Sequence, residues 1–280
     1  MIAIFVIFLR EGIEALMIVA ILMAYLKKID QRRYFKDVIA GVVSALVLAL
    51  VGGIVVYATM GTWSGRPQAI FETVTYLLAA VVLTYMTLWM NKHARTISNE
   101  LRERTDVALT SGERRGFFLL AFQAVGREGL ETVVFTLAII ETRTARGMIW
   151  GALAGLALAL AISSAIYQYG VRIKMGRFFK ILGVLLLFFA VGLFVDAIGN
   201  LQRLGWLPIL NHQLWNTSRI LSDGSALGDV LHSFFGYSSQ PTVLQLIGGS
   251  VFLVTVLWRM LAHQRGAGEV QESPSPQSSS

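Results

Sequence analysis

Residues 2–26 read IAIFVIFLREGIEALMIVAILMAYL, and residues 116–140 read GFFLLAFQAVGREGLETVVFTLAII. Each run is long enough to cross a bilayer as a helix, for which about 20 residues suffice. Each carries the same charged pattern near its middle, Arg10-Glu11-Gly12-Ile13-Glu14 in the first and Arg127-Glu128-Gly129-Leu130-Glu131 in the second. A charged side chain at a membrane-helix centre costs roughly 2.5–3.5 kcal/mol, so six cost on the order of 15–20 kcal/mol before pairing. Such groups mark polar sites inside membrane proteins, where a charged solute is bound or moved.

The rest of the chain fits that reading. Its 280 residues are 55% hydrophobic and only 15% charged, and the mean hydropathy is +0.63. A polytopic membrane protein made of helices is expected, because each helix satisfies its own backbone hydrogen bonds in lipid. The net charge of +7 is spread over short connections between apolar runs, which argues against a nucleic-acid surface. With no cysteine, disulfides and thiolate ligands are excluded. The first run has no basic leader and is charged at its centre, which predicts a retained span rather than a cleaved signal.

Seven spans are expected, near 2–26, 38–60, 70–91, 116–140, 148–169, 178–199 and 242–262. The connections 27–37 and 92–115, the segment 172–180 and the C-terminal end hold 17 Lys and Arg residues, Lys27, Lys28, Arg32, Arg33, Arg114 and Arg115 among them. The other side holds five: Arg66, Arg143, Arg146, Arg203 and Arg219. The positive-inside rule then places the N-terminus outside and the C-terminus in the cytoplasm. The six tryptophans, Trp63, Trp89, Trp150, Trp206, Trp215 and Trp258, fall at or near span ends, as an interfacial belt requires.

An internal repeat runs through this map. Residues 41–50, GVVSALVLAL, align with residues 151–160, GALAGLALAL, with Tyr57 opposite Tyr167 and Phe71-Glu72 opposite Phe179-Lys180. Spans one to three therefore correspond to spans four to six. Because three is odd, the two halves must be inverted in the membrane, a transporter pattern that places a site near the midplane. The expected organisation is a permease domain over 1–265, with one repeat about 1–91, the other about 116–199, and a seventh helix about 242–262. A Ser-, Pro- and Gln-rich tail, 266–280, is expected to be disordered.

Helical spacing puts Glu11 with Glu14, and Glu128 with Glu131, on one face of their helices. Arg10 can pair with Glu14, and Arg127 with Glu131, each four residues on. Gly12 and Gly129 remove a side chain where another helix can approach. If the two motifs meet, four carboxylates face two guanidiniums, a net charge of two negative that a divalent cation matches. Carboxylate oxygens suit cations such as Mn, Fe and Mg. Plain ion pairs locking the bundle would balance acids against bases, and here acids outnumber bases two to one.

Weaker candidates lie nearer the span ends. Glu72 and Asp196 are expected at the outer ends of spans three and six, and His93 at the cytoplasmic end of span three. Each is a possible ligand on the path in or out, or simply a solvated boundary residue. His212 and His232 fall in the outer connection 200–241, where metal capture and plain surface exposure are both open. Met86 and Met90 share a face that packing explains.

The paired REGxE pentapeptides in the first and fourth spans resemble the oxidase-dependent iron permeases, a family that includes fungal high-affinity iron permeases and bacterial EfeU-type ferrous iron permeases. The likeness extends through Phe71-Glu72, Trp89-Met90-Asn91-Lys92-His93-Ala94-Arg95, Gly205-Trp206-Leu207-Pro208 and Leu214-Trp215-Asn216-Thr217-Ser218. Leu221-Ser222-Asp223 and Phe235-Gly236-Tyr237 add to it. The resemblance implies import of Fe(II) or Fe(III) across a bacterial cytoplasmic (inner) membrane, with Glu11, Glu14, Glu128 and Glu131 as translocation ligands. It implies transport rather than catalysis, no permanently bound cofactor, and iron as the transported substrate. It also implies separate periplasmic partners, an oxidase or peroxidase and a metal-capture protein.

Related sequences are associated with lead uptake, so lead or manganese stands beside iron as cargo. A membrane di-metal ferroxidase is the alternative from another class, but di-iron bundles use Glu-x-x-His pairs and no histidine falls inside an expected span. A membrane anchor without transport does not account for the central charges. Nothing resembles an ATP-binding loop, which leaves the membrane potential, with or without protons, as driving force.

Overall fold

A computed structural model describes residues 2–60, 63–93, 114–140, 145–169, 175–222 and 225–269. Among the described residues the chain is helical, with one isolated bridge between Gln213 and Thr242 as its only extended pairing. The helices are α1 (Ile2–Lys28), α2 (Phe35–Met60), α3 (Arg66–His93), α4 (Arg114–Ile140), α5 (Ala145–Tyr169), α6 (Met175–Arg203), α7 (Ala226–Phe235) and α8 (Val243–Glu269). The six from α1 to α6 are built mainly of apolar residues, with glycines inside several of them. α7 lies within the connection expected between the last two spans. α8 continues past Gly266, where the tail is expected to begin, and residues 270–280 lie outside the described residues.

Among the described residues, five segments are long and apolar enough to cross a membrane: Arg32–Thr59, Arg66–Met90, Gly147–Ala165, Ile181–Arg203 and Val243–Met260. The chain is therefore an integral membrane protein by composition. α1 and α4 are long enough as well, at 27 residues each or about 40 Å. What separates them from the five is the three charges that each REGxE motif brings to the middle. α2, α5 and α8 expose apolar side chains, Leu50, Ile54, Leu153 and Val254 among them, as lipid-facing helices do.

Close helix pairs set the packing: α1 lies on α5, α2 on α4, and α3 on α6. Small residues make the first two possible. A side chain at Gly12 would meet Ala159 Cβ at 2.9 Å, and one at Gly129 would meet Ala49 Cβ at 2.9 Å. Gly155 sits against the backbone of α1, 2.5 Å from Phe5 O on the same measure, and Gly41 sits likewise against Phe118 O of α4. Contacts advance in the same direction along both members of each pair, so α1 runs parallel to α5 and α2 runs parallel to α4.

α1 and α4 run antiparallel. Ile4 and Ile7 of α1 share a core with Phe135 and Ile139 at the far end of α4. Leu22 and Leu26, near the end of α1, pack with Phe117 and Ala121 near the start of α4. The two REGxE motifs therefore meet halfway between two apolar cores.

Candidate functional site

α1 buries both of its acids. Glu11 is 2% exposed and Glu14 5%, and Arg10 is 2% exposed as well. The Arg10 guanidinium serves both carboxylates: Nη1 donates to Glu11 Oε1 at 2.7 Å, and Nε lies 3.0 Å from Glu14 Oε1. The second contact is an ion pair without hydrogen-bond alignment, which leaves Glu14 Oε1 without a hydrogen-bond partner.

α4 presents its acids to the same place. Glu128 is buried, and the Glu131 side chain is 13% exposed. Arg127 Nε donates to Glu131 Oε1 at 2.9 Å. Unlike Arg10, Arg127 keeps 46% of its side chain exposed, and its guanidinium lies 5.3 Å from the centre of the Trp89 ring. The hydroxyl of Thr132 bonds back to the Glu128 carbonyl at 2.8 Å and is thereby held on its own helix.

The antiparallel crossing brings Glu11, Glu128 and Glu131 together, each with one oxygen within 4.8 Å of the others. Two oxygens on opposite sides of one hard cation are about 4–5 Å apart, so the spacing admits a bound ion with small side-chain adjustments. Glu11 Oε2, Glu128 Oε2 and Glu131 Oε2 are buried without a hydrogen-bond partner. A buried acceptor with no donor is costly, and a cation supplies what is missing. Glu14, paired with Arg10 at 3.0 Å, stands within the electrostatic reach of Glu128 but is not one of the three.

Other sequence candidates lie elsewhere. Asn200 Nδ2 donates to Glu72 Oε2 at 3.3 Å, and Asn200 Oδ1 accepts from Arg203, so Glu72 ends a short polar chain between α3 and α6. Asp196 Oδ1 lies 3.4 Å from His232 Nε2, which joins two residues that the sequence offers separately. His93 is the last residue of α3 and its side chain lies outside the described residues. His212 is exposed in the connection after α6. Thr87 and Thr136 bury hydroxyls with no partner, and nothing in their sequence context singles them out.

The chain matches the model of the iron permease FTR1 family over residues 1–266. It is 36% identical over 255 residues to the ferrous iron permease EfeU of Yersinia pestis, covering 90% of each chain. It is 33% identical over 271 residues to the EfeU permease of Escherichia coli O6:K15:H31, covering 96% of this chain and 98% of that one. The EfeU permease of Shigella sonnei is 34% identical over 255 residues, 90% of this chain and 92% of its own. No solved structure matches.

Proposed function

The chain belongs to the iron permease FTR1 family, and on that premise we propose that it imports iron through the carboxylate cluster between α1 and α4. The observation that carries the proposal is the convergence of Glu11, Glu128 and Glu131 from two helices, with buried oxygens that lack partners. Glu14 completes the set of four acids, and Arg10 and Arg127 reduce the negative charge to what one divalent ion balances. The membrane potential then supplies about 2.3 kcal/mol per charge per 100 mV toward inward movement.

The proposed setting is the bacterial inner membrane, with seven spans: the five apolar segments plus α1 and α4. The proposed layout is an inverted repeat of α1–α3 and α4–α6. Two pairs of matched contacts support it, Gly12 on Ala159 with Gly129 on Ala49, and Gly155 on α1 with Gly41 on α4. The basic ends of α1 and α4, with Lys27, Lys28 and Arg115, lie together and face the cytoplasm in this scheme. Glu72 is then on the outer side, where it guides cations toward the cluster.

In that orientation Arg10 is the residue of its motif nearest the outside, and Arg127 the residue of its motif nearest the cytoplasm. The buried, doubly paired Arg10 closes the outer approach, and the half-exposed Arg127 leaves the inner approach open. Exchange of these two arrangements moves the ion without either gate being open to both sides at once.

The test is uptake of radiolabelled iron into proteoliposomes containing only this chain. Wild type is expected to accumulate Fe(II) or Fe(III), and Glu128→Gln to lose at least about tenfold, since loss of even an outer-shell partner costs about that much at metal sites. Equal uptake by the variant at equal incorporation overturns the proposal. Mn(II), Zn(II) and Pb(II) run alongside decide the cargo. Oxygen consumption by the isolated chain with Fe(II) is expected to be absent; turnover would assign it as a ferroxidase. Uptake that needs an added oxidase or capture protein would reveal the proposed periplasmic partners.

A further inference from the structure

α7 is a ten-residue helix that holds one histidine in a fixed pose. Ser225 caps its start, with Oγ accepting from Gly228 N–H at 3.0 Å. Gly236, at φ +62°, ends it in the left-handed region that favours glycine. The N–H groups of Gly236 and Tyr237 fold back onto the carbonyls of His232 and Leu231, at 3.0 and 3.3 Å. That reversal brings the Tyr237 carbonyl to 2.7 Å from His232 Nδ1.

A carbonyl oxygen only accepts, so the hydrogen is on Nδ1 and Nε2 is turned toward Asp196 on α6. Tyr237 is itself anchored: its phenol oxygen donates to Leu221 O at 3.0 Å and lies 2.6 Å from Thr217 Oγ1. An imidazole steadied by a backbone carbonyl on one nitrogen and aimed with the other is how metal-binding histidines are held.

The distance across the pair points the same way. Nε2 and Asp196 Oδ1 are 3.4 Å apart. A direct charge-assisted hydrogen bond would be about 2.7–2.9 Å. Two ligands about 2.1 Å from one tetrahedral ion are about 3.4 Å apart. Both side chains remain about one-fifth exposed, at 23% and 21%. Val230 on α7 packs against the core that holds Ala3 and Ile4, which places the pair at the end of the bundle opposite the basic end of α1.

We propose that Asp196 and His232 form a capture site for a divalent first-row metal ion, separate from the carboxylate cluster and upstream of it. The assignment of the metal as cargo rests on the permease function proposed above; the site itself does not. One turn along α6 from Asp196, Asn200 contacts Glu72, so a released ion meets the next carboxylate on the adjoining helix pair. The ion completes its coordination with water, which makes the site exchangeable rather than a structural lock.

The test uses Mn(II) as the probe and the full chain in detergent, with electron paramagnetic resonance counting bound ion. Wild type is expected to bind in two classes, Glu128→Gln to lose one, and His232→Gln and Asp196→Asn each to weaken the remaining class at least tenfold. Pulsed spectra of Mn(II) on the Glu128→Gln protein are expected to show an imidazole nitrogen coupling that His232→Gln removes. Should His232→Gln fail to fold, Asp196→Asn supplies the same comparison. Unchanged binding and unchanged nitrogen coupling in these variants would overturn the site, even if Asp196→Asn melts lower, since that result assigns a plain ion pair. Loss of iron uptake in wild-type liposomes bears on the permease function and leaves this measurement standing.

Discussion

Arg10 and Arg127 occupy matching places in the two motifs, yet one is sealed and the other is half open. Removing Arg10 strands two buried carboxylates, and breaking a buried pair in this way costs about 3–5 kcal/mol. Arg10→Ala is therefore expected to lower the thermal unfolding midpoint markedly in detergent, whereas Arg127→Ala is expected to cost about 1 kcal/mol or less. Equal destabilisation by the two would remove the distinction on which the gating scheme stands. The motif itself is legible in sequence, because charge inside an apolar run shows without any structural context. The difference between its two copies is not, since it depends on the positions of α5 and Trp89, which composition does not encode. Glu14 illustrates the same limit: spacing places it beside Glu11, yet only Glu11 joins the three-oxygen cluster.

Helix pairing in this bundle depends on where a side chain is missing. Gly155→Ala puts a methyl group against the Phe5 carbonyl of α1, and overpacking of this kind costs about 1–3 kcal/mol. Gly52 of α2 faces open space, so Gly52→Ala is expected to be neutral or to stabilise by roughly 0.5–1 kcal/mol through helix propensity. Thermal melts of the two purified variants check the contrast, and a destabilising Gly52→Ala would show that α2 is covered where it is described as bare. The long helices are legible because apolar length suffices to indicate them. α7 is not: ten residues of mixed polarity in a connection rich in glycine and serine read as loop, and its caps become visible only once the chain has turned back on α6. With α7 unseen, Asp196 and His232 stay unrelated, which is why their proximity is a structural finding.

At the scale of the whole molecule, the membrane class follows from composition, while the number of spans turns on how the charges of α1 and α4 are counted. Among the described residues five segments qualify on apolarity alone, and α1 and α4, which carry the proposed site, do not. The absence of cysteine offers a direct reading of sidedness. A single cysteine replacing Gln123, exposed on α4 four residues from Arg127, is expected to react with a membrane-impermeant thiol reagent from the cytoplasmic side. One replacing the buried Leu9, next to Arg10, is expected to resist reagent from outside. The reverse pattern would invert either the orientation or the gate that is closed. The central claim is that acids from two antiparallel helices hold one ion at bilayer depth. Anomalous diffraction at the iron edge, on crystals of the iron-loaded protein, tests it most directly. A peak bonded to Glu11 of α1 together with Glu128 or Glu131 of α4 is expected. A peak bonded to the acids of one helix alone, or none near either motif at full loading, would contradict it.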